Sequence, residues 1–328
     1  MEKGAPDGGV PESNPTQGAI ESSQVEGAVT ARDLVRQLEE SIGDVPEQAE
    51  IFGVRQYAVE ESVKRARRII AAAGEVCSFA MERADWVTQA DRTLARLPLG
   101  GRAVVHHASG AVDVLTGLAP LEMLFEKLEA RETLISMVEE TAEKLGVNDW
   151  VGRDQLKFER LWQIKAAAAD RSRNVEPVLC RAVGAYRQIA GRLPVLGPAS
   201  VSIKIAAGGA LDRVSVLMRE TAGEALEWAP VLAPHQAASQ IASQLYGLMG
   251  NAKVPLERLE VKASMSFGYV TLGKRKAQRM LSPHYVAMIQ IRAEEAQAYQ
   301  FVVPATEKIY EAICLAGSHA APALERRV

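Results

Sequence analysis

The spacing of apolar residues changes near position 195, from about every three and a half residues to every second one. Helices and strands bury one face at those two periods, so the change predicts a molecule in two parts. The expected fold class is α+β. An N-terminal antiparallel helical bundle is followed by a C-terminal antiparallel sheet of about five strands, packed with one or two helices. The expected boundaries are a disordered tail over 1–28, the bundle over 29–194, the α+β domain over 195–317 and a frayed tail over 318–328. Residues 1–28 are rich in Gly, Pro, Ser and Glu, and hold too little apolar surface to offset their chain entropy.

In the helical part, Thr30 with Asp33 three residues on predicts a capped helix carrying Leu34, Leu38 and Ile42. A long helix is expected from about Tyr57 to Leu97. Val59, Val63, Ala66, Ile70, Ala73, Cys77, Ala80, Ala84, Val87 and Leu94 form one stripe, with Ile69, Val76 and Phe79 beside it. So broad an alanine-rich face suits close packing inside a bundle, and it also offers a surface for self-association. The segment 102–115 follows its neighbours as helix, with a hairpin about Ala108-Ser109-Gly110 as the alternative. Further helices are expected from Pro120 to Leu145, from Asn148 to about Ala169, and from Pro177 to Gly191.

In the second part, Ala199–Ala206 and Leu211–Met218 predict a hairpin about Gly208-Gly209, and Pro234–Met249 a helix. From Arg258 to Phe267, Leu259, Val261, Ala263, Met265 and Phe267 alternate with Glu260, Lys262, Ser264 and Ser266. That is the pattern of an antiparallel strand covered on one face. Tyr285–Ile291 and Tyr299–Val303 predict two more strands, and Glu307–Leu315 a last helix.

Composition matters where it excludes. A formal charge of −3 over 328 residues gives no whole-chain field for nucleic acid or acidic lipid, so an anionic partner must meet a local patch. Cys77, Cys180 and Cys314 are far apart with no CxxC pair, which fits a reducing, cytoplasmic setting and small buried side chains. The most apolar stretch, Ala103–Phe125, contains His106, His107, Asp113 and Glu122, so membrane insertion is not expected.

Gly268-Tyr-Val-Thr-Leu-Gly273-Lys274 has the glycine and lysine spacing of a phosphate-binding P-loop. Arg275 stands where a magnesium-holding Ser or Thr belongs, and the preceding strand alternates, so a turn between antiparallel strands is the better expectation. The same place holds Lys274, Arg275, Lys276 and Arg279, then His284 and Tyr285. These six are the candidate residues for an anion or partner site. A second basic run, with Arg153, Lys157 and Arg160 on one helix face, is interleaved with acids and reads as a solvent face. His106 and His107 are adjacent, so they point apart and cannot chelate one ion together. No metal site, no cofactor and no catalytic residue is assigned.

The expected function is therefore a non-enzymatic interaction or scaffold protein. Its helical face would self-associate or meet a protein partner, and its basic loop would meet an anionic one. The rival is an enzyme or binding protein for a phosphorylated or otherwise anionic small molecule, held in a pocket between the two halves. RNA or DNA binding through the same loop is a third reading.

Overall fold

The computed structural model describes residues 30–77, 84–150, 154–167, 177–251, 260–292, 297–311 and 313. The tails predicted over 1–28 and 318–328, and Cys314, lie outside the described residues. Within them the chain is mostly strand. Four helices, α1 (Ala31–Ser41), α2 (Val59–Cys77), α3 (Arg131–Lys144) and α4 (Pro234–Asn251), pack on sheets of twelve and three strands.

The expected N-terminal helical bundle is overturned. After β1 (Gln48–Gly53) and α2, the chain forms a meander of β2 (Asp85–Thr88), β3 (Arg92–Arg96), β4 (Arg102–His106) and β5 (Ala111–Leu115). The helix expected to Leu97 is described as α2 as far as Cys77, its Phe79 and Ala80 lie outside the described residues, and from Asp85 the chain is strand, because Trp86, Val87, Thr88 and Thr93 are strand-forming residues that pair across β2 and β3. The alternative hairpin about Ala108-Ser109-Gly110 forms, with Gly110 at φ +65°. Pro120 opens no helix; α3 begins at Arg131. Beyond α3, the two expected helices are the long hairpin β6 (Gln155–Ala166) and β7 (Val178–Ala190). The basic run with Lys157 and Arg160 thus lies on a strand.

After β7 come β8 (Leu193–Leu196), β9 (Val201–Ile205), β10 (Leu211–Val216) and β11 (Glu227–Pro230). After α4 come β12 (Glu260–Val270), β13 (Met280–Leu281), β14 (Pro283–Arg292) and β15 (Gln297–Pro304). The hairpin and three strands thus fall where alternation placed them, and α4 where helical spacing did. Residues 307–311 carry bends rather than the expected last helix.

The large sheet runs β15-β14-β12-β8-β7-β9-β10-β5-β4-β3-β2, with β6 branching from β7. β11, β1 and β13 form the small sheet. Three cores result. The first packs Ala66, Ile69, Ile70 and Ala73 of α2, with Leu134 and Val138 of α3, on Val105, Val112, Val114, Ile203 and Val214. The second packs Leu34 and Leu38 of α1, with Ile241 and Leu245 of α4, on Met265, Tyr285, Ile289 and Phe301. A small third core, Phe52, Val54, Ala190, Val195, Tyr269 and Leu281, joins them. The stripe Ala66, Ile69, Ile70 and Ala73 of α2 is therefore packed within the first core rather than against helices of a bundle.

Candidate functional site

Four segments converge where the two larger cores meet: 54–57 after β1, the β4–β5 turn, 219–221 after β10, and the basic loop 273–279. Val54 N–H donates to the Arg279 carbonyl at 2.7 Å, and Arg55 N–H to the Glu220 carbonyl at 2.8 Å. Ser109 Oγ donates to the Lys274 carbonyl at 2.5 Å, and Gln56 Nε2 to that of Gln278 at 2.8 Å.

The N-terminal end of α2 opens into this junction. Its inner stripe, Ser62, Ala66, Ile69, Ile70 and Ala73, is buried. Arg65 lies at the edge of that stripe, with Glu61, Lys64 and Arg68 one step outward at helical spacing. With Arg55, Tyr57, Ile69, Asp149, Trp150 and Glu220 they line a cleft of about 560 Å³.

The cations in this cleft are not equivalent. Arg55 is neutralised by Glu61 at 2.7 Å and Glu220 at 3.3 Å. Tyr57 donates its hydroxyl to the same Glu220 carboxylate, and its ring carries Arg55 Cζ at 4.9 Å and Arg65 Cζ at 5.4 Å from the centroid. Arg65 is half-buried, and its guanidinium donates to the Trp150 carbonyl at 3.1 Å. Among the described residues no carboxylate lies within ion-pair distance of it. Burial first, and the charge of Arg55 second, push its pKa down to about 10. It stays charged at neutral pH, with its charge poorly compensated.

The basic loop borders this cleft across the β4–β5 turn. Lys274 forms an ion pair of 2.8 Å with Asp113, which also receives Arg213 at 2.7 Å. Burial alone would raise the Asp113 pKa, but the hydrogen bonds and charges of Arg213 and Lys274 outweigh it and hold it below the ordinary value. Arg275, Lys276 and Arg279 are exposed along the same loop. His284 and Tyr285 do not join them. Both are buried on β14, where His284 Nδ1 donates to the Ser282 carbonyl at 2.8 Å and Tyr285 donates to that of Leu232 at 2.5 Å. Burial keeps the His284 pKa below its ordinary value, so it supplies no positive charge at neutral pH.

The P-loop spacing has a different cause. Gly268 lies where β12 meets β8 in a two-residue parallel pairing, and a Cβ there would stand 2.4 Å from the Pro194 carbonyl oxygen. The loop turns its carbonyls inward. Arg219, 2% exposed, donates through Nη2 to the carbonyls of Leu272, Gly273 and Lys276 at 3.0, 3.3 and 2.9 Å. A P-loop presents N–H groups to a phosphate; this one presents oxygens to a guanidinium.

His106 and His107 point apart. His106 is 6% exposed, while His107 is half-buried and its Nε2 meets Thr93 Oγ1 at 2.9 Å. Cys77 is held as a thiol, burial raising its pKa to about 11. Sequence reasoning passed over Lys64, Arg65 and Arg68, whose apolar neighbours drew the attention. The signal was the run Lys64-Arg65-Ala66-Arg67-Arg68. Nothing local in the sequence brings Arg55, Trp150 or Glu220 to it.

No protein-family model matches the chain, and no curated protein matches its sequence. Among solved structures it is similar to an uncharacterized protein from Eubacterium rectale ATCC 33656, with a TM-score of 0.52 and 8% sequence identity. The match covers 88% of this chain and 100% of the other. At that identity the likeness is one of fold. No helix among the described residues is long and apolar enough to cross a membrane.

Proposed function

We propose that this chain binds a small anionic ligand in the cleft at the N-terminal end of α2, with Arg65 as its anchor. One observation carries the reading. Arg65 is half-buried, repelled by Arg55, and meets one backbone carbonyl where a buried guanidinium ordinarily has a carboxylate. A ligand anion would supply the missing charge. Lys64 and Arg68 line the same cleft.

Thermal shift against a panel of phosphorylated and carboxylated metabolites tests this, since a ligand that binds only the folded state raises its melting temperature with concentration. At least one anion raises the midpoint of the unaltered protein, and Arg65→Gln loses that response. No shift from any anion, or an equal shift in Arg65→Gln, would overturn the reading.

A second reading, as a protein-interaction module, draws on β6. Among the described residues it pairs with β7 alone, and Trp162 and Ile164 on one of its faces are 39% and 40% exposed. Light scattering on the full chain and on Trp162→Glu tests it: a monomer at all concentrations, unaltered by the substitution, removes self-association through this edge.

A further inference from the structure

We infer that the face of the β2–β5 meander turned away from α2 binds a small amphipathic carboxylate, with Arg96 and Arg102 taking its charged end and Val87, Leu94 and Val104 its apolar body. The site is separate from the cleft of Arg65 and does not depend on it.

Strand register decides what this face presents. One row of partners across the sheet reads Trp86, Ala95, Ala103, Val114 and Val214, and it packs in the first core with α2. Side chains alternate in direction along a strand, so the rows on either side of that one face outward. The first outward row reads Val87, Leu94 and Val104 on β2, β3 and β4, then Asp113 on β5. The second reads Asp85, Arg96, Arg102 and Leu115. An outward face of an antiparallel sheet is ordinarily polar. This one sets three apolar side chains abreast, Val87 being 48% exposed, and all three line a cavity of about 560 Å³. That size suits a small molecule.

The second row lines the same cavity and carries its charge. Arg96 and Arg102 stand directly opposite one another, where like charges oppose pairing. Leu97 N–H donates to the Gly101 carbonyl at 2.9 Å, so the adjacent 96/102 pair is of the kind without hydrogen bonds, its Cα atoms about 4.5 Å apart. Among the described residues neither arginine has a carboxylate within ion-pair distance, Asp85 opposite Arg96 included. Arg213, farther along the row, is already held by Asp113 through hydrogen bonds of 2.8 and 2.7 Å. Against Asp85 the two arginines leave one positive charge at this end of the cavity, the complement of a monoanion. A carboxylate between the guanidiniums offers an oxygen to each in charge-assisted bonds. Its apolar body then lies along the neighbouring row, over Leu94 and Val104. A phosphate dianion exceeds that charge and gains nothing from the apolar floor.

Isothermal titration of the full chain with octanoate is the test, in the unaltered protein and in Arg96→Gln with Arg102→Gln, Val104→Thr and Arg65→Gln. Octanoate binds saturably. Acetate, which lacks the apolar body, and octanol, which lacks the charge, each compete for it at least about tenfold more weakly. The double arginine variant weakens octanoate about tenfold or more, the effect of lost hydrogen bonds between charged groups. Its melting midpoint holds or rises, because an opposed like-charge pair is relieved; a purely structural pair would lower both readouts. Val104→Thr, close in volume, weakens octanoate by making the floor polar, and Arg65→Gln leaves it unchanged. Octanoate affinity unaltered in the double variant, or no saturable binding, overturns the inference. Loss of binding in Arg65→Gln instead would assign octanoate to the other cleft, and equal competition by octanol would remove the role of the arginines. A dimer in light scattering that Val104→Thr dissolves would seat a second copy on this face and overturn the small-ligand assignment.

Discussion

Arg219 shows how one side chain can set the conformation of a loop that carries none of its own secondary structure. Its guanidinium collects three carbonyls from 272–276 and also meets Thr271 Oγ1 at 3.3 Å. Burial pushes its pKa down to about 10, yet it remains a cation at neutral pH. Arg219→Leu strands those carbonyls without donors, and a loss of about 3 kcal/mol or more is expected in urea unfolding at neutral pH. A loss under about 1 kcal/mol would mean that water replaces the guanidinium without difficulty. A second residue-scale prediction concerns acid. His106 and His284 are buried, burial being the largest cause of their lowered pKa; Lys274 and Arg275 depress His106 further. Their folded pKa values lie below the unfolded value of about 6.5, so between those values the unfolded chain binds more protons. Stability therefore falls as pH drops below about 6.5. Urea midpoints should be lower at pH 5.5 than at pH 7.5, and His284→Asn, whose amide can still reach the Ser282 carbonyl, should narrow the difference. At this scale the sequence was legible in part. Lys274 to Arg279 were found as a basic loop, and the buried fates of His284 and Tyr285 were not, because burial of a polar residue depends on which helix covers it.

At the scale of elements, the legible ones had a single wet face. β12 alternates and was read almost to its ends; α1 carries its Thr30–Asp33 capping box in the structure as in the sequence. β7 failed for the opposite reason. Nearly all of Val178–Ala190 is buried, so no alternation marks it, and a doubly covered strand of 13 residues resembles a buried helix in sequence. β6 failed through a bulge between Phe158 and Arg160, which shifts the faces and imitates helical spacing. The alanine stripe of α2 was real, but a stripe does not say whether a sheet or another helix covers it. Gly184 of β7 records the answer for α3. A Cβ there would stand 2.2 Å from Val138 Cγ1, so the helix rests on the bare backbone of the strand. Gly184→Ala must displace α3 or strain Val138, and about 1–3 kcal/mol of lost stability is expected. Adding Val138→Ala makes room for the new methyl. If the double variant is no more stable than Gly184→Ala alone, close approach of α3 and β7 is not what the glycine provides.

For the molecule as a whole, the change of period near 195 marked a real difference in how segments are covered, yet it did not mark where the bodies divide. α1 packs on α4 and β12 in the second core, although some 190 residues of chain separate α1 from α4. β7 and β9 pair across position 195 in the first. What couples the two bodies is the small third core, centred on Tyr269. This side chain is 0% exposed, meets Phe52 edge-on with centroids 5.8 Å apart, and donates to the Glu50 carbonyl at 2.8 Å. Sheet continuity adds little beside it, since β8 and β12 pair over two residues. Cooperative unfolding of so large a chain needs a junction that costs more to open than either body gains by melting alone. Tyr269→Ala removes the ring from that junction at a cost of about 3–5 kcal/mol, while Tyr269→Phe removes one hydrogen bond worth about 1 kcal/mol. In calorimetry the unaltered protein and Tyr269→Phe should melt in a single transition. Tyr269→Ala should separate into two, the cleft-bearing body being the one whose transition moves with bound anion. A single transition in Tyr269→Ala, merely shifted to lower temperature, would mean that the 54–57 and 273–279 segments hold the two bodies together without the third core.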